Sequence, residues 1–484
     1  MYSSMVKRIF LFVLVLLFLL AGVVLYNTFQ FTSDRESVTA IPAPPLSDQS
    51  VQNFQRALSF KTISYADSAL FDSTQFLQFR KFLDDTYPET FKKLKPEIIE
   101  GYSLLYIWEG KDPKQKPVVL MAHQDVVPIE EATKVMWTVD PFGGVVKENF
   151  IWGRGTTDDK INLISIMEAV EKLLKEGFQP DRTIYLAFGH DEEIGGKGAK
   201  AIARLLKERN IAAEFVLDEG GIITEDKLPG VSKPVALLGT AEKGYLSLKL
   251  SVKAQGGHSS MPDKETAIDI LSKALVNLRS NPFDADLSEP MNDLMQSVGP
   301  EMPFVQRMAF ANPWLFKKLI LSTYEESNTG DAMIRTTIVP TIVEAGIKDN
   351  VVPTVASAVV NFRLMPNHNS KDAIEGVKQK INDDRVSISA LSTIAEASPV
   401  TNIRSFGYQK ISTAIQKSYP QVITSPFLVI GATDSRHFTE VSSNIIKFSP
   451  MVDPIGFHGI DERVSLESYR TALWFYEQLL RDLN

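Results

Sequence analysis

The sequence of 484 residues contains no cysteine and only six histidines. The absence of cysteine excludes disulfides, thiolate-ligated zinc, cysteine-bound iron–sulfur clusters and a thiol nucleophile. Any metal site must therefore be built from histidine, aspartate and glutamate side chains.

An excess of basic residues is also missing, since 51 Lys and Arg face 59 Asp and Glu, for a net charge of -8. A surface that binds nucleic-acid phosphates needs the opposite balance, so we expect no nucleic-acid partner. The 27 glycines, 26 prolines and 23% charged residues are typical of a globular chain. The length exceeds that of one ordinary domain and allows up to about three.

One long run lacks charge altogether, over residues 9–26, and Lys7 and Arg8 precede it. As a helix the run would be about 27 Å long, barely enough to cross a bilayer core. No clear small-residue cleavage site follows, which favours an uncleaved signal-anchor over a cleaved signal peptide. We predict one of these over residues 1–27, with the remainder outside the cytoplasm, anchored or, after cleavage, secreted. Residues 28–50 are predicted to be a tether.

Apolar strands alternate with amphipathic helices from residue 50 onward. Strands over residues 116–121 and 183–188 flank a helix over residues 161–175. Such a rhythm predicts an α/β fold with a mostly parallel sheet covered by helices. We assign residues 51–242 to the first part of a catalytic domain and residues 396–484 to its second part.

The pattern changes near residue 243 to strand–helix–strand–strand–helix–strand. This order predicts an inserted ferredoxin-like α+β domain over residues 243–395, with one exposed sheet face. The apolar, helix-like stretch 304–321 does not fit that unit. It favours a lipophilic ligand or, alternatively, ordinary helix packing.

Five short segments place polar side chains at strand ends or in loops, where a parallel sheet binds its ligands. They are residues 121–125 (MAHQD), 153–160 (GRGTTDDK), 190–193 (HDEE), 217–221 (LDEGG) and 457–463 (FHGIDER). Each alone is weak evidence, because a single histidine is often structural and an acidic pair often begins a helix. Together they place several carboxylates close to one another, and a divalent cation would relieve the repulsion between these carboxylates. Two histidines with three or four carboxylates exceed the needs of one zinc ion and suit two.

These segments, with GGHSS at residues 256–260, occur in an order that resembles the aminoacylase and carboxypeptidase S family of di-zinc exopeptidases. The resemblance covers about residues 50–484. It is strongest to the carboxypeptidase S (Gly-X carboxypeptidase) and secreted N-fatty-acyl-amino-acid hydrolase/synthase branches. It implies a di-zinc exopeptidase-like fold, two Zn²⁺ per active site, and an inserted domain that serves as a lid or for homodimerisation.

The resemblance also implies residue roles. Asp125 would lie behind one histidine ligand and orient its ring. Glu192 would be the general base, and Asp159 would not be a ligand. Either Asp218 or Glu219 would bind metal, and the family pattern leaves both open. The implied metal ligands are His123, Asp158, Glu193, His458 and one of Asp218 and Glu219.

Further residues are assigned to substrate. His258 is either exposed in a simple turn or, as the resemblance implies, stabilises the oxyanion, often across a dimer. Asn350 and Arg363 match residues that contact or support substrate in relatives. Arg436 either belongs to a capped loop with a surface ion pair or grips the substrate carboxylate through its guanidinium. His190, His368 and His437 are interpreted as structural.

The sequence thus predicts a zinc-dependent amidohydrolase or carboxypeptidase. Its substrate would be a small peptide with a free C-terminus or an N-acyl amino acid, with an N-fatty-acyl group favoured by the stretch 304–321. The alternative is a non-catalytic, membrane-anchored receptor or binding ectodomain on a peptidase fold. The presence of every expected ligand and of the base argues against that alternative.

Overall fold

The computed structural model describes residues 2–33 and 38–483. The chain divides into two compact units. The large unit comprises residues 38–241 and 399–483, and the small unit comprises residues 2–33 and 242–398. The small unit thus interrupts the large one and also includes the N-terminal helix.

The helices are α1 Tyr2–Gln30, α2 Asp48–Ser59, α3 Ser73–Thr86, α4 Pro88–Leu94, α5 Lys160–Lys175, α6 Lys197–Glu208, α7 Ala267–Ser280, α8 Glu289–Val298, α9 Phe304–Ala311, α10 Pro313–Glu325, α11 Asn328–Ile334, α12 Ser370–Ile381, α13 Phe406–Ser418 and α14 Leu466–Asp482.

The strands are β1 Glu97–Ile99, β2 Ser103–Trp108, β3 Val118–His123, β4 Val145–Lys147, β5 Phe150–Trp152, β6 Ile184–Gly189, β7 Phe215–Asp218, β8 Ile223–Thr224, β9 Val235–Glu242, β10 Gly244–Lys253, β11 Gly257–His258, β12 Thr337–Ala345, β13 Val351–Val352, β14 Val355–Leu364, β15 Val386–Ala395, β16 Ile423–Val429, β17 Ile445–Lys447 and β18 Arg463–Ser465.

The main sheet of the large unit has the strand order β1-β2-β6-β3-β7-β17-β9-β16. Its centre is parallel, because β6 and β7 both run parallel to β3, and β17 runs parallel to β7. Every residue of β3, β6 and β7 is buried. Helices cover a parallel sheet on both faces, which is why these strands are continuous apolar runs instead of alternating ones. The predicted mostly parallel α/β sheet is confirmed.

Strand pairing brings the polar segments together. His123, the last residue of β3, pairs with Gly189 at the end of β6, and Leu120 pairs with Leu217 near the end of β7. A second sheet pairs β18 with β5 in antiparallel fashion, Arg463 opposite Trp152. The start of the loop that follows β5 therefore lies beside the end of the loop that precedes β18.

The small unit contains a four-stranded antiparallel sheet with the order β12-β14-β10-β15. In chain order the elements are β10, α7, β12, β14, α12 and β15, which is the ferredoxin-like arrangement that the sequence predicts. Helices α7 and α12 pack on one face, and their apolar residues form one core with the buried residues of the sheet.

Residues 304–321 do not form the single helical stretch that the sequence predicts. Helix α9 ends at Ala311, and α10 begins at Pro313, with Asn312 between the two helices. Pro313 is the first residue of α10, where its fixed φ and missing N–H are tolerated, but it cannot continue a preceding helix. The apolar composition predicts helix correctly and misses the break.

Helix α1 includes a segment, Met5–Gln30, that is long and apolar enough to cross a membrane. Its 26 residues extend over about 39 Å. The same properties are found in signal peptides, so the helix is compatible with either an anchor or a cleaved signal.

The segment predicted as a tether, residues 28–50, includes residues 34–37, which lie outside the described residues, and its later part contacts the rest of the large unit. Helix α1 continues to Gln30, and α2 begins at Asp48. The backbone N–H of Ile41 donates to Lys417 O (2.9 Å), and Trp474 Nε1 donates to Ile41 O (2.8 Å). Leu46 packs against the apolar core. Residues 41–46 are therefore bound to the large unit.

Candidate metal centre

Two groups of three side chains in the large unit each place one ligand atom per residue within 4.8 Å of the others. The first group, His123, Asp158 and Glu219, is buried. His123 Nε2 lies 2.7 Å from Asp158 Oδ1 and 3.4 Å from Glu219 Oε1. One imidazole nitrogen with two carboxylate oxygens makes three protein ligands of types that zinc accepts, which is the number in catalytic zinc sites that keep a position for water or substrate.

The second group is Asp158, Glu193 and His458. His458 Nε2 lies 2.7 Å from Asp158 Oδ2 and 3.4 Å from Glu193 Oε1. Asp158 thus belongs to both groups, and each histidine faces a different oxygen of its carboxylate. A carboxylate arranged in this way can bridge two cations.

The electrostatics of the groups also fit cations. Burial lowers the pKa of His123, but the surrounding carboxylates, first Glu219, outweigh it and hold the pKa well above its usual value. Contacts with Asp158 and Glu193 raise the pKa of His458 to about 10. Burial and the charge of Asp158 raise the pKa of Glu219. Without metal, protons on these imidazoles and carboxylates offset the negative charge of the clustered carboxylates. Two divalent cations would offset the same negative charge.

Asp125 lies behind the first group and organises two of its neighbours. Its Oδ1 is 3.2 Å from His123 Nδ1, and Ser64 Oγ donates to its Oδ2 (2.5 Å). The backbone N–H groups of Glu192 and Glu193 donate to the same carboxylate, at 3.1 and 3.2 Å. Asp125 therefore fixes both the imidazole and the short helical turn that carries the two glutamates.

Glu192 follows β6 in that turn and belongs to neither group. Burial, and then the charge of Asp434, raise the pKa of Glu192 well above its usual value. A raised pKa brings a glutamate closer to the range in which it can accept and return protons near neutral pH.

Asp218 and Glu219 are adjacent but lie in different surroundings. Asp218 Oδ2 accepts a hydrogen bond from Ser435 N (2.7 Å), whereas Glu219 faces His123. Of the two residues that the sequence leaves open, the geometry favours Glu219 as a ligand. Asp159 accepts hydrogen bonds from Asn162 Nδ2 (2.5 Å) and His123 N (3.3 Å), in keeping with a supporting role.

A buried ion pair between Arg154 and Glu462 joins the two loops that carry Asp158 and His458. Glu462 Oε1 accepts from the N–H groups of Gly155 (3.0 Å) and Thr157 (2.8 Å). Arg154 Nη2 donates to His458 O (3.3 Å). Sequence reasoning missed this pair, although both residues lie within the segments it selected, because only the pairing of β5 with β18 brings them together.

Two other residues of the large unit that the sequence analysis considered, Arg436 and His190, lie outside the two groups of candidate metal ligands. Arg436 is in the turn Asp434–Phe438, where its Nε is 3.4 Å from His437 Nε2. Among the described residues, no hydrogen bond or ion pair joins Arg436 to the groups. His190 Nδ1 is 2.7 Å from Ser103 Oγ, consistent with a structural role.

Three candidates belong to the small unit. His258 is exposed on β11, opposite Val351 of β13, and its Nδ1 is 2.8 Å from Ser260 Oγ. Asn350 O accepts from Ser259 N (3.2 Å), so it lies beside the histidine segment. Arg363 lies on β14 opposite Tyr245, with its guanidinium 5.0 Å from the centre of that ring.

Comparisons with known proteins agree with this geometry. Residues 119–482 match the model of peptidase family M20/M25/M40. The chain is 41% identical over 483 residues to probable carboxypeptidase S-like 2 of Dictyostelium discoideum, covering 96% of this chain and 92% of the relative. It is 36% identical over 436 residues to the human N-fatty-acyl-amino acid synthase/hydrolase, covering 88% of this chain and 86% of the relative.

Among solved structures, an M20 family metallo-carboxypeptidase from Sulfolobus solfataricus aligns with a TM-score of 0.64 at 18% identity. The alignment covers 90% of this chain and 99% of that protein, which supports the fold. With the family model spanning most of the chain and the curated relatives aligned over nearly all of it, the protein belongs to the M20 peptidase family and is a metallopeptidase-type hydrolase.

Proposed function

We propose that the protein is a two-zinc amidohydrolase that cleaves the amide bond of N-acyl amino acids or of small peptides with a free C-terminus. The observation that carries the proposal is the shared carboxylate of Asp158, with His123 and His458 facing its two oxygens at 2.7 Å each. Nitrogen and oxygen donors of this kind suit zinc. When bound, the two ions would supply Lewis acidity to the attacking water and the amide carbonyl.

His123, Asp158 and Glu219 would hold one ion, and Asp158, Glu193 and His458 the other. Glu192 takes a proton from the attacking water. As the amide C–N bond breaks, Glu192 returns that proton to the leaving nitrogen, so the products are a carboxylic acid and an amine.

Substrate recognition is assigned to residues of both units. His258 donates a hydrogen bond to the oxyanion that develops from the amide carbonyl. Arg436 binds the free carboxylate of the substrate, because a guanidinium can donate two parallel hydrogen bonds to a carboxylate. Asn350 and Arg363 contact or support the substrate, and the inserted domain over residues 243–395 serves as a lid or as a homodimerisation domain.

The substrate class is narrowed by the names of the relatives, which describe a carboxypeptidase and an N-fatty-acyl-amino-acid synthase/hydrolase. Both names fit a substrate with a free carboxylate next to the scissile amide. We place the protein in a membrane through α1, with the large unit and residues 242–398 of the small unit outside the cytoplasm, because Lys7 and Arg8 precede the apolar run.

The test is Glu192→Gln. The variant should lose about 10²–10⁴-fold in kcat, because it removes the group that moves the proton, and should keep the zinc content of the unchanged protein. Glu208→Gln is the matched control, since Glu208 is an exposed glutamate on α6. Hydrolysis of N-oleoyl-phenylalanine and of Cbz-Gly-Leu, measured with zinc added, would decide between a lipophilic acyl group and a peptide.

Undiminished turnover by Glu192→Gln would overturn the assigned mechanism. Absence of hydrolysis of either substrate by the zinc-loaded, unchanged protein would instead favour the binding ectodomain.

A further inference from the structure

Helices α9 and α10 of the small unit expose an apolar patch, which consists of Phe304, Val305, Trp314, Leu315 and Leu319. Trp314 is 58% exposed and Leu319 is also 58% exposed. We propose that this patch lies in the outer headgroup layer of the membrane that α1 enters, so that the protein contacts lipid twice. The proposal rests on the membrane placement of α1 and is independent of catalysis.

The side chains of α10 are distributed as in a helix that lies on a lipid surface. Trp314, Leu315 and Leu319 are exposed, whereas Ile320 is buried. Residues 315 and 319 are one helical turn apart and share a face. Large apolar residues on one face, with tryptophan among them, are characteristic of interfacial helices.

Charge in this region favours an anionic lipid surface. Residues 304–321 contain Arg307, Lys317 and Lys318 and no acidic residue, in a chain whose net charge is -8. Lys317 pairs with Asp286 at 2.6 Å, and Lys318 is exposed. Basic residues beside an apolar face strengthen the binding of an interfacial helix to anionic lipids.

The patch is attached to the end of the apolar helix. Asn312, which separates α9 from α10, is fully buried. Its Nδ2 donates to Val24 O (3.2 Å), and its Oδ1 accepts from Asn27 Nδ2 (2.9 Å). The ring centres of Phe29 and Phe304 are 6.1 Å apart. The patch is therefore continuous with the last two turns of α1.

The length of α1 sets the depth of those turns. About 20 helical residues cross the hydrocarbon core of a bilayer. Counted from Ile9, the first residue after Lys7 and Arg8, these roughly 20 residues end near Thr28. Phe29 and its contact Phe304, and with them α9 and α10, then lie where the helix leaves the hydrocarbon. A lipid surface is the occupant that this continuity supports, in preference to a second copy of the chain.

The absence of native cysteine allows a clean test on the full chain, because a single introduced cysteine carries the only label. Leu315→Cys and Leu319→Cys would report on the patch. Val276→Cys on α7 is the matched control, an exposed apolar residue of the same unit outside the patch. Leu16→Cys in α1 would report whether the anchor has inserted.

Each variant would carry a nitroxide and be reconstituted in vesicles of phosphatidylcholine with a minority of phosphatidylglycerol. Accessibility to oxygen, which partitions into lipid, would be compared with accessibility to a water-soluble nickel chelate. Labels at 315 and 319 should lie roughly 5–10 Å into the boundary between the headgroups and the acyl chains, the usual depth of an interfacial apolar face. The label at 276 should remain in water. Adding Leu315→Glu should shift the label at 319 toward water, whereas adding Val276→Glu should not.

A lipid-immersed label at 16 with water-exposed labels at 315 and 319 would overturn the proposal and leave the anchor intact. A water-exposed label at 16 would overturn both. Broadening of the spectra at 315 and 319 that is relieved by unlabelled chain would show that a second copy covers the patch, which also overturns the proposal. Zinc content and hydrolysis of each variant, compared with the unchanged protein, would report whether it folds.

Discussion

In the large unit, the candidate metal ligands other than His458 are buried or partly buried and are supported by other polar groups, whereas in the small unit His258 and the apolar patch are exposed. Asp125 holds His123 and the turn of Glu193, and Glu462 holds the loop of Asp158. His258 has a local contact with Ser260. The difference matches the proposed roles: metal ligands need positions fixed before the ion arrives, whereas groups proposed to meet substrate or lipid must remain accessible. Substitutions in the two units should therefore have different signatures.

The largest effect is expected from Asp158→Asn in the large unit. The substitution removes the negative charge that both groups share, so both ions should be lost and kcat should fall by at least about 10³-fold, or about 4 kcal/mol. Zinc analysis and hydrolysis rates would check this, with Asp226→Asn, an exposed residue of the same unit, as the control. Retention of both ions would contradict the bridging role.

His258→Ala tests the exposed histidine of the small unit. Loss of one oxyanion donor should reduce kcat by about 10²–10³-fold, while zinc content and the thermal midpoint stay unchanged because the side chain is exposed. His258→Gln retains an N–H donor and should recover part of the loss. A fall in zinc content would contradict the assignment, since it would show that the residue supports the metal groups.

Glu462→Gln tests whether the buried pair of Arg154 and Glu462 supports the metal ligands of the large unit. It leaves the buried guanidinium of Arg154 without its charge partner, which should cost about 3 kcal/mol of unfolding free energy. Zinc affinity should fall by about 10–100-fold, because the loops of Asp158 and His458 lose their connection. Denaturant unfolding and chelator competition would measure the two effects.

Glu467→Gln is the matched control for Glu462→Gln, because Glu467 pairs with Arg470 at an exposed position. Loss of this pair should cost at most about 1 kcal/mol and leave zinc affinity unchanged. Equal effects of the two substitutions would refute the distinction between a supporting and a surface pair.

The smallest expected effect is a pH dependence of the metal-free protein. The pKa of His458 is raised from 6.5 to about 10, so its contribution to stability is complete below pH 6.5 and is lost as the pH rises toward 10. The raised pKa values of Glu192 and Glu219 act with the same sign, since the folded state holds their protons more tightly. The thermal midpoint of chelator-treated protein should therefore fall between about pH 6.5 and 9.

In the proposed two-zinc form the ions replace these protons, so the zinc-loaded protein should show a smaller dependence of its thermal midpoint on pH. Thermal scans with and without zinc across the same pH values would reveal it. Parallel curves for the two forms would contradict the placement of the ions in these groups.

Much of the fold follows from local patterns in the sequence. The apolar runs at residues 116–121 and 183–188 predicted a parallel sheet, in which the strands span Val118–His123 and Ile184–Gly189. The alternation from residue 243 onward indicated the ferredoxin-like unit. The order of the motifs selected the residues of both metal groups. Each of these depends on neighbours in sequence or on a resemblance that spans the chain.

The contacts that the sequence did not indicate join residues far apart along the chain. Arg154 and Glu462 are 308 residues apart, and Asn312 lies 288 residues from Val24. In isolation, Arg154 is one basic residue in a loop and Asn312 is a helix breaker. Their roles arise only from tertiary packing, for which a single sequence carries no periodic signal.

The single carboxylate of Asp158 has a thermodynamic consequence for metal supply. An ion in the group of His123 would hold Asp158 Oδ1, and an ion in the group of His458 would hold Asp158 Oδ2. Because the two oxygens belong to one carboxylate, fixing one of them also positions the other. The occupancies are therefore coupled, and the coupling is reciprocal: whatever the first ion does to the affinity for the second, the second does equally to the first. If both proposed zinc sites fill, a single dissociation constant cannot describe their loading, and the fraction of active protein should vary with free zinc as a two-site function.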